Sequence, residues 1–291
     1  MISKETCLET INKRIPDLVI QQCAFVDQGQ NSLVAIVNGE LVFKFPRYRH
    51  VMEELKKESE ILPIISKHVT LEVPVPLYSS FESDEPGQVF VGYKMIMEVP
   101  LERELYWQLE NKQALATQIG SFLHELHGLP ADCLAGIGIE KRDGFAYWSR
   151  MLMQIEKSVF PHIHPESREQ IVESFRRFLD NDEHFQYEPV LTHGDFGTSN
   201  IIYDPKAQKV SGVIDFGQAA LDDPAIDIAS LICPMGYGED FAKYLVRAYP
   251  QMQALLPRAR FYLSTFALQD ALFGVETGDR EAFEAGIAPY R

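Results

Sequence analysis

Between Gln21 and Phe45 the apolar residues fall in short runs, Cys23-Ala24-Phe25-Val26, Leu33-Val34-Ala35-Ile36-Val37 and Leu41-Val42-Phe43-Lys44-Phe45, with polar residues between them. Runs this short and this rich in Val, Ile and Phe read as strands. Asn38-Gly39 between the last two is a strong signal for a tight hairpin. The pattern predicts an antiparallel sheet at the N-terminus. From Val51 to Lys67 the alternation gives way to Glu, Leu and Lys, which predicts a helix packed on that sheet. Val89 to Met97 predicts another strand, and the domain boundary is placed at Glu98-Val99-Pro100.

Past that point the period changes. Ile119, Phe122, Leu123 and Leu126 fall at i, i+3, i+4, i+7, as do Phe241, Tyr244, Leu245 and Ala248, so the second part is predicted to be mainly amphipathic helices. Two short β runs interrupt them, Asn200-Ile201-Ile202-Tyr203 and Val210-Ser211-Gly212-Val213-Ile214, flanking a turn. No internal repeat or low-complexity tract is present. The expected architecture is α+β and two-lobed: a sheet-rich lobe over residues 1–98 and a mainly helical lobe over 99–291.

Composition narrows the class. Of 291 residues 46% are apolar and 24% charged, an ordinary globular balance. No apolar run approaches the length of a membrane span and the start lacks a signal-peptide layout, which predicts a cytoplasmic protein with no membrane partner. We expect it to be a monomer. Cys7, Cys23, Cys133 and Cys233 form no Cys-x-x-Cys pair, so neither a zinc ribbon nor a disulfide framework is expected. The formal charge of −15 argues against nucleic acid as a partner, whose phosphates it would repel, and in favour of a small cation.

Candidate chemistry sits in Leu191-Thr192-His193-Gly194-Asp195-Phe196-Gly197-Thr198-Ser199-Asn200, a polar, turn-prone segment between apolar stretches. Fifteen residues after Asn200 comes Asp215, in Val213-Ile214-Asp215-Phe216-Gly217. The ordered set H-x-D-x-x-x-x-N then D-F-G suits phosphoryl transfer. Asp195 is placed to orient an attacking hydroxyl and take its proton. Mg²⁺ requires oxygen ligands, and Asn200 with Asp215, brought together by a returning hairpin, would supply them. His193 is expected to brace the loop.

On these residues the chain resembles the aminoglycoside phosphotransferase family, which has a protein-kinase-like fold, and the resemblance runs over nearly the whole chain. His193-Gly194-Asp195 with Asn200 resembles its catalytic loop, and Ile214-Asp215-Phe216-Gly217 its metal-binding turn. Asp222-Asp223-Pro224-Ala225-Ile226-Asp227 resembles its D-P-x-x-D stretch, which implies that Asp227 braces the catalytic loop. Gly194 stands where protein kinases carry Arg, and no A-P-E segment follows, which disfavours an activation-loop-controlled protein kinase.

Lys44 and Glu58, fourteen positions apart, resemble the kinase strand lysine and helix glutamate, a charge-assisted pair that handles the α- and β-phosphates, with Glu53, Glu54 and Glu60 as alternative partners on the same helix. Gln28-Gly29-Gln30-Asn31-Ser32 is the candidate phosphate-covering loop, with the Ser32 hydroxyl as a donor. Lys94-Met95-Ile96-Met97-Glu98 is the candidate hinge, where the backbone of Met95 and Met97 would read the base of ATP or GTP. The resemblance implies an antibiotic kinase that phosphorylates an aminoglycoside hydroxyl. Phe266 to Glu284 resembles the end of enzymes acting at the 2″-hydroxyl, and Phe266, Asp270 and Glu276 are the candidate substrate contacts. A macrolide or amino-alcohol kinase is the alternative within the class, and a catalytically silent kinase-like binding protein the alternative outside it. His124-Glu125-Leu126-His127 falls one residue short of a zinc H-E-x-x-H motif and is set aside, as is His162-Ile163-His164. Tyr147, Trp148, Met151 and Met153 are read as packing.

Overall fold

The computed structural model of the chain describes residues 2–27 and 31–291. Helix α1 (Lys4–Arg14) precedes the strands β1 (Cys23–Val26), β2 (Ser32–Val37) and β3 (Leu41–Pro46); helix α2 (Arg49–Ile65) then leads to β4 (Pro76–Ser80) and β5 (Phe90–Lys94). These strands form one antiparallel sheet in the order β1-β2-β3-β5-β4. The β2–β3 turn is built by Asn38 and Gly39, both in the left-handed region at φ 54° and 68°. Strand periodicity then does something specific. Phe43 and Phe45 point to the face covered by α1, in a core with Cys7, Ile11, Leu33, Ala35, Val37 and Phe90. Lys44 between them is turned to the opposite face, where α2 lies. Val51, Leu55, Ile61, Leu62 and Ile65 bury the sheet-facing stripe of α2, and Glu58 is buried on the same helix.

The second lobe begins with β6 (Val99–Pro100), α3 (Arg103–Gln108) and α4 (Lys112–His127). Helices α5 (Gly144–Ser158) and α6 (Pro165–Leu179) follow, then strands β7 (Val190–Thr192), β8 (Ile201–Asp204), β9 (Lys209–Val213) and β10 (Ala220–Asp222). The chain ends in α7 (Ala225–Ile232), α8 (Ala242–Leu245), α9 (Met252–Ser264), α10 (Phe266–Thr277) and α11 (Arg280–Ile287). Two small sheets, β6-β8-β9 and β10-β7, lie among these helices. The large core is built on α4, whose Leu115, Ile119, Phe122, Leu123 and Leu126 are buried. A second apolar focus joins α5, α6 and α9: Trp148 stacks on Tyr262 at 4.8 Å and meets Phe261 edge-on at 5.3 Å. Among the described residues no helix is long and apolar enough to cross a membrane.

Three local expectations are corrected. The strand expected to reach Met97 stops at Lys94, because Met95 gives its N–H to the Glu40 carbonyl (2.7 Å) and Glu98 turns the chain at φ 101°. The apolar period from Phe241 to Ala248 yields only a 3-10 turn and the short α8; there α4 closes in until a Cβ on Gly120 would stand 3.0 Å from Ala248 Cβ. Met153 is not packing but 60% exposed, whereas Met151 and Trp148 are buried.

Replacing Trp148 with Ala removes the ring on which α5, α6 and α9 converge. Urea denaturation of Trp148→Ala is expected to show a loss of roughly 3–5 kcal/mol.

Candidate active site

The cleft between the lobes has a volume of about 230 Å³ and is lined by Ser32, Lys44, Glu58, Asp195, Asp215 and Gln218 among others. Lys44 Nζ donates to Glu58 Oε1 at 3.0 Å and to Asp215 Oδ1 at 2.9 Å, so one ammonium bridges the two lobes. Glu58 Oε1 also accepts the N–H of Phe216 at 3.2 Å, fastening α2 to the turn that carries Asp215. Burial alone would make the Lys44 ammonium easier to deprotonate. The carboxylates of Asp215 and Glu58 more than reverse this and hold it firmly protonated. In return the Lys44 charge holds Asp215 below the ordinary carboxylate range. Asp215 itself sits at φ 69°, in the left-handed region that a short polar side chain tolerates.

The loop from His193 to Asn200 is held from beneath by Asp227 on α7. Its Oδ2 accepts the N–H of His193 and its Oδ1 that of Gly194, both at 2.9 Å. Oδ2 takes a third bond at 2.9 Å from Nε2 of His127, whose Nδ1 lies 2.8 Å from the Tyr249 hydroxyl. Burial would raise the pKa of Asp227, but hydrogen bonding and charge from His127, with help from His193, outweigh it and leave the carboxyl below its ordinary value. The His193 ring joins the two motifs: Nε2 lies 3.0 Å from the Ile214 carbonyl and Nδ1 accepts the N–H of Asp195 at 3.3 Å. Those contacts assign the proton to Nε2.

Gly194 has a steric cause. It lies at φ 81°, and a Cβ added there would stand 2.3 Å from the Gln218 carbonyl oxygen, so no larger residue fits.

Asp195 faces the open cleft. Burial by its surroundings pushes its carboxyl above the ordinary value, against the pull of His193 and with a further push from Asp215. Asn200 is buried and uses its amide nitrogen on Asp195, at 2.9 Å to the carbonyl and 3.3 Å to Oδ2. Its Oδ1 therefore carries no hydrogen bond among the described residues. An amide oxygen and the Asp215 carboxylate are the kind of hard-oxygen donors that suit Mg²⁺ completed by phosphates and water, and the Ile214 N–H to Asn200 carbonyl bond (2.9 Å) joins the two segments that carry them. No group of three or more His, Cys, Asp or Glu side chains among the described residues could hold a metal ion by itself.

The other candidates separate. Ser32 lines the cleft, while Gln28, Gly29 and Gln30 lie outside the described residues. Met95 has spent its N–H on Glu40, leaving Met97 as the hinge residue of the pair with an uncommitted one. Phe266, Asp270 and Glu276 are absent from the cleft walls. A break at Thr265 separates α9 from α10, which carries all three and packs on α5, α9 and α11. Asp270 is exposed, and Glu276 lines a separate recess of about 300 Å³ with Tyr147, Arg150 and Phe273. Two residues not singled out from the sequence belong to the site. His127 is masked by its likeness to half a zinc motif; its place on the buried stripe of α4 was the available signal. Glu102, exposed at the start of α3, accepts the Thr198 hydroxyl at 3.1 Å and so stands against the catalytic loop.

Residues 24–262 match the phosphotransferase enzyme family. The chain is 24% identical over 298 residues to viomycin phosphotransferase of Streptomyces vinaceus, covering 99% of each chain. It superposes on the GDP and kanamycin complex of APH(2")-IIia with a TM-score of 0.90 and 25% identity, over 97% of this chain and 96% of that one. The gentamicin complex of APH(2")-IIa superposes with a TM-score of 0.80 and 26% identity, over 99% and 95%.

Asp227 gives a pH signature of stability. Its pKa is lower folded than unfolded, so its contribution is present above the unfolded value of about 4 and is lost as pH falls through the folded one. Urea unfolding of Asp227→Asn, in which an amide NH₂ meets an N–H donor, should show a deficit of about 2–3 kcal/mol at neutral pH that shrinks below about pH 4. A deficit constant across that range would contradict it.

Proposed function

The chain belongs to the phosphotransferase enzyme family, and on that footing we propose that it transfers the γ-phosphoryl group of ATP or GTP to a hydroxyl of an aminoglycoside. The observation that carries this reading is the convergence of Lys44, Asp215 and Asp195 on one cleft, with Asn200 bonded to Asp195. Lys44, held by Glu58, meets the α- and β-phosphates, which take the place that Asp215 occupies beside it. Ser32 adds a hydroxyl above the phosphates, and the Met97 N–H with the Met95 carbonyl reads the base edge from the hinge that closes the nucleotide-binding lobe at Glu98. Asn200 Oδ1 and Asp215 would hold Mg²⁺, which when bound supplies charge neutralisation across the β- and γ-phosphates.

Asp195 orients the acceptor hydroxyl and takes its proton. The new bond runs from that oxygen to the γ-phosphorus; the bond from phosphorus to the β–γ bridging oxygen breaks, and its electron pair leaves with the nucleoside diphosphate. His193 and Asp227 touch neither reactant. They hold the Asp195 backbone at a fixed height above the metal turn, which is where proximity is set.

Support for a polycationic acceptor comes from the net charge of −15 and from the likeness to enzymes crystallised with kanamycin and gentamicin. The exposed carboxylate of Glu102, bonded to Thr198 of the loop that carries Asp195, is a further candidate partner for a substrate ammonium beside Asp270 and Glu276.

Asp195→Asn should lower kcat by several orders of magnitude while calorimetry with a non-hydrolysable triphosphate shows nearly unchanged affinity. Retention of more than about a tenth of kcat would remove Asp195 from the proton-accepting role.

Several carboxylates facing several ammonium groups are screened by salt, and an apolar contact is not. KM for kanamycin or gentamicin should therefore rise steeply between low and high ionic strength. Turnover of erythromycin with no aminoglycoside turned over would replace the proposed acceptor with a macrolide.

A further inference from the structure

The last turn of α4 reaches two places at once. His127 faces inward to Asp227. Glu125, two residues earlier, reaches across to the first lobe, where its Oε2 accepts both the N–H (2.7 Å) and the hydroxyl (3.0 Å) of Thr70. Thr70 lies just beyond the end of α2, on the same continuous stretch as Glu58.

Two residues further on, in the connection from α2 to β4, Glu72 pairs with the second lobe. Its backbone makes a single parallel bridge to Gly212 of β9: the Glu72 N–H donates to the Ser211 carbonyl at 3.2 Å, and the Val213 N–H donates to the Glu72 carbonyl at 2.9 Å. Gly212 makes this approach possible. A Cβ there would stand 2.6 Å from the Glu72 oxygen and 3.0 Å from the Ile96 side chain of the hinge. On its other side α4 clasps β9 directly, through Gln118 Oε1, which accepts the Val210 N–H at 3.0 Å. One helix thus grips both partners of the bridge.

Asp215 follows Val213 by two residues, and between them the Ile214 N–H donates to the Asn200 carbonyl at 2.9 Å. The backbone entering Asp215 is therefore fixed from one side by the Thr70–Glu72 strap and from the other by Asn200. We propose that Glu125 is a positioning residue: by pinning Thr70 it presses the strap onto β9 and so sets the distance between Lys44 and Glu58 of one lobe and Asp215 of the other. Glu125 lines none of the cleft and is only half-buried, with an exposed partner, so its hydrogen bonds rather than core packing give it this effect. The inference rests on the reading that Lys44 and Asp215 together handle the Mg²⁺–triphosphate.

Glu125→Ala and Glu125→Gln test it, the second because a carboxamide oxygen can still accept from Thr70. Hydrogen–deuterium exchange on the nucleotide-free proteins should show faster exchange in Glu125→Ala both around Thr70–Glu72 and in the peptide spanning Val213–Phe216. By calorimetry the same variant should bind Mg²⁺ with a non-hydrolysable triphosphate about five- to tenfold more weakly, with the acceptor KM unchanged. Glu125→Gln should stay within about twofold of wild type. Faster exchange confined to Thr70, with wild-type affinity, overturns the proposal, and so does an equal loss in both variants. Failure of the wild-type protein to bind the Mg²⁺–triphosphate would instead strike the proposed function, and the exchange pattern would still decide the role of Glu125.

Discussion

A carboxylate with no access to water, that of Asp227, sets the terms for everything around it. Burying such a group is costly unless donors satisfy it, and the donors available to it are the backbone N–H groups of His193 and Gly194 and the ring of His127. The loop that carries Asp195 gains rigidity by serving as that donor set. The demand passes outward. α7, which carries Asp227, has its own start fixed by Asp223, whose carboxylate accepts from the Ala225 N–H, from Arg258 at 3.0 Å and from the Tyr262 hydroxyl at 2.7 Å. α4, α7 and α9 are thereby drawn together under a loop that none of them contains.

Above the loop the constraint is a cation. Lys44 lies between two carboxylates on opposite lobes, and it stays charged in a buried place because they flank it. Breaking one half of such an arrangement leaves an uncompensated charge, so exchange of one anion for another is the low-cost way to change it. A triphosphate entering the cleft offers that exchange while the Glu58 contact remains.

Local rules made much of this legible. Asn38-Gly39 placed the hairpin, the hairpin placed Phe43 and Phe45 on one face, and Lys44 had to emerge on the other. The spacing from Asn200 to Asp215 is the length of a returning β8–β9 hairpin, which the motif presupposed. The rest depends on contacts that no local rule reaches. The Glu72–Gly212 bridge joins backbones 140 positions apart, and a glycine inside a strand pattern signals close approach without saying to what. His127 carried a misleading likeness to a metal motif, although its buried face on α4 marked it as inward. The break at Thr265 that separates α9 from α10 has neither proline nor glycine to mark it in the sequence, and Phe266, Asp270 and Glu276 follow it on α10.

Gly194 carries a consequence for how this molecule is governed. In protein kinases the arginine at that place lets a phosphorylated loop report on the catalytic aspartate. Here the Gln218 carbonyl fills the space that any side chain would need, and the obstacle is main chain. An arginine that reads such a phosphate could stand at this position only if the turn after Phe216 were rebuilt.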